Sequence, residues 1–97
     1  SKEARNDLEG IRQYIIDTLC NPDAATRIML MLKSGVASLS EFPERGKPLD
    51  SILSVHTEYR FLVCEKYCIF YIYNGSTVEI VRIFHQMQDY MRALFIE

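Results

Sequence analysis

The sequence predicts an α+β fold: an N-terminal helical hairpin packed on a twisted antiparallel sheet, a meander of three or more strands, with a short C-terminal helix. Three observations predict it. Apolar residues recur at spacings of three and four through the first 40 residues. An Asn-Pro pair interrupts that pattern once, and β-branched and aromatic residues take over after residue 58.

The first helix is read over residues 3–19. Leu8, Ile11, Ile15 and Leu19 fall on one stripe of it. Asn21 suits an N-cap and Pro22 the first helical position, so the second helix spans residues 22–40. Ile28, Met29, Leu32, Val36 and Leu39 face inward on it. Two helices with so tight a joint form a hairpin. Residues 42–50, which hold Pro43, Gly46 and Pro48, read as a loop.

Strand chemistry follows over residues 59–64, 67–73 and 77–84. Asn74-Gly75 is the strongest hairpin signal, and Glu65-Lys66 marks the other turn. Two-residue loops place Cys64 opposite Tyr67 and Tyr73 opposite Ser76. One face then carries Arg60, Leu62, Cys64, Tyr67, Ile69, Tyr71, Val78, Ile80 and Arg82. The other carries Tyr59, Phe61, Val63, Cys68, Phe70, Ile72, Glu79, Val81 and Ile83. Both are largely apolar, so both are expected to be covered. A one-residue slip would reverse the assignment. Residues 87–95 close the chain as a short helix with Met91, Leu94 and Phe95 apolar.

With 97 residues and 48% hydrophobic content, one domain with a modest core is expected, and a partner that adds stability. The net charge of −2 argues against broad electrostatic capture of nucleic acid, so any RNA site must be local. Three cysteines, Cys20, Cys64 and Cys68, without a C-x-x-C pair suit reduced thiols in a cytoplasmic protein better than a disulfide framework or a zinc site. No cofactor, metal or membrane span is expected.

A series of short motifs runs the length of the chain. It begins with Leu8-Glu9-Gly10-Ile11 and Tyr14-Ile15, then Asn21-Pro22-Asp23-Ala24-Ala25 and the loop Phe42-Pro43-Glu44-Arg45-Gly46-Lys47-Pro48-Leu49. Tyr59-Arg60-Phe61-Leu62-Val63 and Ile69-Phe70-Tyr71 follow. Val78-Glu79-Ile80-Val81-Arg82-Ile83-Phe84-His85, with Asp89-Tyr90, completes it. In this order the series resembles toxins of the RelE/ParE superfamily of bacterial type II toxin–antitoxin systems. The resemblance implies a growth inhibitor of a plasmid-stabilisation module, neutralised by a co-expressed antitoxin in an assembly such as a heterotetramer. Family members usually begin with a strand that is absent or trimmed here. Ribosome-acting relatives are also strongly basic, as this chain is not.

Three activities follow from the resemblance. The favoured one is inhibition of a protein target, DNA gyrase, without chemistry. The alternative is a ribosome-dependent, metal-free mRNA endoribonuclease. The third is an inactive relative that only binds the antitoxin. Arg60 matches the family's Tyr-Arg position and Arg82 its last-strand arginine. In a nuclease these two would hold the transition-state phosphate, with His85 or Tyr90 moving protons. Lys47, His56 and Arg45 would assist in substrate binding. Each has a plain structural reading beside it: ion pairing for the arginines, capping for His85, packing for Tyr90, and a solvated surface for the rest.

Overall fold

In a computed structural model of the chain, residues 1–51 and 56–85 are described. Helix α1 spans Lys2–Asp17 and helix α2 Pro22–Glu41. Strand β1 is Lys47–Pro48, followed by a 3-10 turn at Leu49–Ser51. Strands β2, Tyr59–Cys64, β3, Tyr67–Tyr73, and β4, Val78–His85, complete a four-stranded antiparallel sheet in sequential order. The expected C-terminal helix at 87–95 lies outside the described residues.

The helix joint follows from local chemistry. Asn21 caps α2 through its side-chain oxygen, which accepts from Ala24 N–H at 3.1 Å, and Pro22 opens the helix. The reversal uses Cys20 at φ 52°. Helix α1 ends at Asp17, two residues earlier than its apolar spacing predicts, so Leu19 falls in the joint and is exposed. Ala25, Ile28, Leu32, Gly35 and Leu39 form the buried stripe of α2, with Met29 and Val36 at its margins.

The helices cover one face of the sheet, where Leu62, Ile69, Tyr71 and Ile83 join Ala4, Ile15, Ile28, Leu32 and Leu39. The other face gathers Leu49, Cys68, Phe70 and Phe84 with Tyr59 and Phe61 around them. Both faces thus bury apolar side chains, as their composition predicts, although Val63 on the second is 53% exposed. Gly35 lets α2 approach the sheet: a Cβ there would stand 2.8 Å from Cys64 Sγ and 3.2 Å from Ile69 Cδ1.

Three details of the sheet differ from the sequence reading. Residues Lys47 and Pro48, read as loop, pair with Phe61 and Arg60 as an edge strand. Proline is tolerated there because an edge leaves one side of the backbone unpaired. The β3–β4 turn holds four residues rather than two, since Tyr73 pairs with Val78. Asn74 Oδ1 gathers the N–H groups of Ser76 and Thr77 at 3.0 and 2.9 Å, and Gly75 sits at φ 96°. That shift of two preserves which side chains share a face.

The third difference reverses faces. A β-bulge between Phe70 and Tyr71 pairs Tyr71 with Ile80 but Phe70 with Arg82, so Val81 is the extra residue. Beyond it, Ile83 and His85 turn to the helix-covered face, while Arg82 and Phe84 turn to the other. Arg60 pairs with Tyr71 and stays on the helix-covered face. The two arginines expected on one face therefore lie on opposite faces.

Candidate functional site

Arg82 and Phe84 are neighbours on one face, and the guanidinium lies 4.5 Å from the Phe84 ring centroid. Its Nε and Nη2 donate to the two oxygens of Asp7, at 2.8 and 3.0 Å. One of those oxygens also accepts the Ile83 N–H at 2.9 Å. The pair is bidentate, and with the Asp7 side chain only 14% exposed and that of Arg82 27% it is largely shielded from water. Asp7 stands on α1 and closes part of the outer edge of β4. Ser1 Oγ continues that closure by donating to Val81 O at 3.0 Å.

Arg60 sits at the other end of the sheet. Its Nη2 donates to the carbonyls of Gly46 and Glu44 at 2.8 and 3.2 Å, and its Nε is buried without an acceptor among the described residues. Beside it, the fully buried Tyr71 hydroxyl donates to Pro43 O at 2.7 Å and accepts from Gly46 N–H at 3.0 Å. Gly46 is required: a Cβ would meet Phe61 O and the Tyr71 hydroxyl, each at 2.6 Å.

His85 packs edge-on against Tyr67, ring centroids 5.2 Å apart. Both line a cleft of about 550 Å³ between α1 and the end of the sheet, with Ile11, Tyr14, Ile15 and Leu19 as its apolar wall. The Tyr67 hydroxyl is held above its ordinary range, chiefly by burial. Cys64 and Cys68 are pushed up by the same cause.

The remaining candidates are scattered. Lys47 and Arg45 are exposed on the segment before β2, and Arg45 donates to Ser38 Oγ. His56 is exposed and pairs with Asp50 at 2.7 Å. The Asp50 carboxyl is lowered, first by the Thr57 N–H it accepts at 2.7 Å. Tyr90 lies outside the described residues. The structure thus brings His85 near Tyr67 and Arg60 near the 42–47 segment, but does not gather Arg60, Arg82 and His85. Asp7 and Tyr71, which hold the two arginines' surroundings, were not among the sequence candidates. A lone acid on a polar helix face and a tyrosine inside a strand carry no local signal of such roles. Among the described residues, no three His, Cys, Asp or Glu side chains group as metal ligands would. No described helix is long and apolar enough to cross a membrane.

Comparison with known proteins adds a second line. Residues 1–90 match the family model described as the ParE toxin of the type II toxin–antitoxin system parDE. Toxin RelE2 of Caulobacter vibrioides is 40% identical over 79 residues, covering 81% of this chain and 82% of that protein. The helical hairpin, the antiparallel meander and these matches agree along nearly the whole length, and the chain belongs to the RelE/ParE superfamily of type II toxin–antitoxin toxins.

Proposed function

We propose that the chain inhibits growth by binding a protein target, DNA gyrase, and that its cognate antitoxin neutralises it by covering apolar surface. The observation that carries this reading is the engagement of both arginines. A ribonuclease of this superfamily would need cations converging on one phosphate. Here Arg60 and Arg82 lie on opposite faces of the sheet, one committed to backbone carbonyls and the other to Asp7. Extracting Arg82 for a phosphate would leave a largely shielded carboxylate unpaired, which is costly. The net charge of −2 supports the same reading, since nothing in the overall balance draws a polyanion. The match to the ParE family model supports this reading, whereas the name of the 40% identical relative, Toxin RelE2, favours the alternative.

The ribonuclease reading, with Arg60, Arg82, His85 and Tyr90 as its chemical set, is the competing arm of one experiment. The purified chain is titrated into a gyrase supercoiling reaction, and cellular messages are mapped by primer extension after induction. Lost supercoiling with intact messages is expected. Codon-phased cuts with unimpaired gyrase would replace the proposal with the nuclease.

A further inference from the structure

We propose that Asn74, in the β3–β4 turn, is a self-modification site: the donors that hold its side chain activate it, and the chain converts it to aspartate and isoaspartate with water as co-reactant. The inference stands apart from the target reading. Asn74 is followed by Gly75, which carries no Cβ to crowd an attack by its own backbone nitrogen. The other two asparagines lack this. Pro22 follows Asn21 and has no N–H to lose. Asn6 and Asp7 lie inside α1, where the backbone is held in the helix.

The turn supplies the rest. Asn74 and Gly75 are exposed, so water reaches them. Four donors converge on Asn74 Oδ1: the N–H groups of Ser76 and Thr77 at 3.0 and 2.9 Å, and their hydroxyls at 3.2 and 3.4 Å. Donors gathered on a carbonyl oxygen draw electrons from its carbon and stabilise the oxyanion that forms on attack. The surrounding backbone is fixed by Asn74 N–H donating to Thr77 O at 3.3 Å and by the Tyr73 hydroxyl donating to Gly75 O at 3.1 Å.

The step balances within the chain and one water. The Gly75 nitrogen gives its proton to solvent and bonds to Asn74 Cγ, and the charge collects on Oδ1 among the four donors. The Cγ–Nδ2 bond then breaks, and Nδ2 takes up a proton and leaves as ammonia. A five-membered imide remains. Water opens it at the side-chain carbonyl to give aspartate, or at the main-chain carbonyl to give isoaspartate. Aspartate keeps the backbone and offers the same donors a charged acceptor. Isoaspartate adds a methylene to the main chain between residues 74 and 75, which disturbs the turn that sets Tyr73 opposite Val78.

The test incubates the purified full chain at pH 7 and pH 8, weighs the peptide that holds Asn74, and labels it with an isoaspartyl methyltransferase. A gain of about one dalton, NH replaced by O, is expected there, with methyl label. It should form about tenfold faster at pH 8, because the attacking nitrogen must lose a proton. Asn6 and Asn21 should stay intact. The folded chain should react at least as fast as the chain in guanidinium chloride. Ser76→Ala combined with Thr77→Val removes two donors from an exposed turn and should slow the reaction about threefold or more. An Asn74 that survives in the folded chain while it reacts in guanidinium overturns the proposal, since the four donors would then be restraining the side chain. A double variant as fast as the parent overturns it as well.

Discussion

Asp7 and Arg82, 75 positions apart in sequence, form a two-pronged ion pair that ties the first helix to the last described strand. The same carboxylate takes the Ile83 N–H. One side chain thus neutralises a guanidinium and completes the edge of a sheet.

Removing it should be costly. Asp7→Ala leaves Arg82 without that counterion and Ile83 N–H without that acceptor. Hydrogen bonds to charged groups are worth about 1.5–3 kcal/mol. Partial exposure of Arg82 discounts this, so a loss of about 2 kcal/mol is expected, or a fall in Tm of roughly 10 °C for a chain of this size. Denaturant midpoints check it. A double-mutant cycle with Arg82→Ala should show coupling of about 1 kcal/mol or more. A coupling of zero would mean that the two groups act separately.

Much of the fold could be read from the residues, for reasons of periodicity and punctuation. Asn21-Pro22 announces the helix joint, and the β2–β3 pairing of Cys64 with Tyr67 follows from a two-residue turn. The site was less legible because its geometry depends on a bulge. Nothing in Phe70-Tyr71 or Ile80-Val81-Arg82 announces an extra residue, since all these side chains suit a strand on either face. One uncounted residue moves Arg82 across the sheet. Lys47-Pro48 was hidden for a similar reason: proline signals a loop, and only a partner strand reveals an edge.

Gly35 offers a contest between two effects. Alanine in the middle of α2 gains about 1 kcal/mol of helix propensity over glycine. Its Cβ would meet Cys64 Sγ at 2.8 Å, and overpacking of this kind costs about 1–3 kcal/mol. The thiol can turn about its one rotatable bond, but Ile69 Cδ1 stands at 3.2 Å beside it, so relief needs both side chains to repack or the helix to shift. Gly35→Ala is expected to be net destabilising by up to about 2 kcal/mol, measured by urea unfolding. A stabilised variant would show that α2 rides on the sheet more loosely than the packing indicates.

Stability should decline at alkaline pH. Burial raises the Cys64 and Cys68 thiols above their ordinary value of 9.0, and the Tyr67 hydroxyl above 10.0. The folded chain then holds protons that the unfolded chain releases, so ΔG of unfolding falls as pH rises. The contribution is whole below about pH 8, erodes as unfolded thiols ionise near 9, and is lost above the folded values. Urea midpoints at pH 7, 8.5 and 10 test this. Cys64→Ala should flatten the decline between 8.5 and 10, and an unchanged slope would remove the thiol from it.

The cleft beside α1 offers a surface for the antitoxin that can be altered without disturbing the core. Tyr14 and Leu19 are each 56% exposed, although both are large and apolar, and they flank a concavity that suits an amphipathic helix. Neither buries enough in the free chain for its loss to affect folding strongly. Alanine at both positions is expected to weaken binding of the co-expressed antitoxin by at least tenfold, about 1.4 kcal/mol. Tm should barely move, and toxicity of the free chain should persist. Isothermal titration with purified antitoxin and colony counts under co-expression measure the two effects. If the Tyr14 and Leu19 substitutions leave neutralisation intact, the antitoxin seats elsewhere, and the exposed apolar wall of α1 needs another explanation.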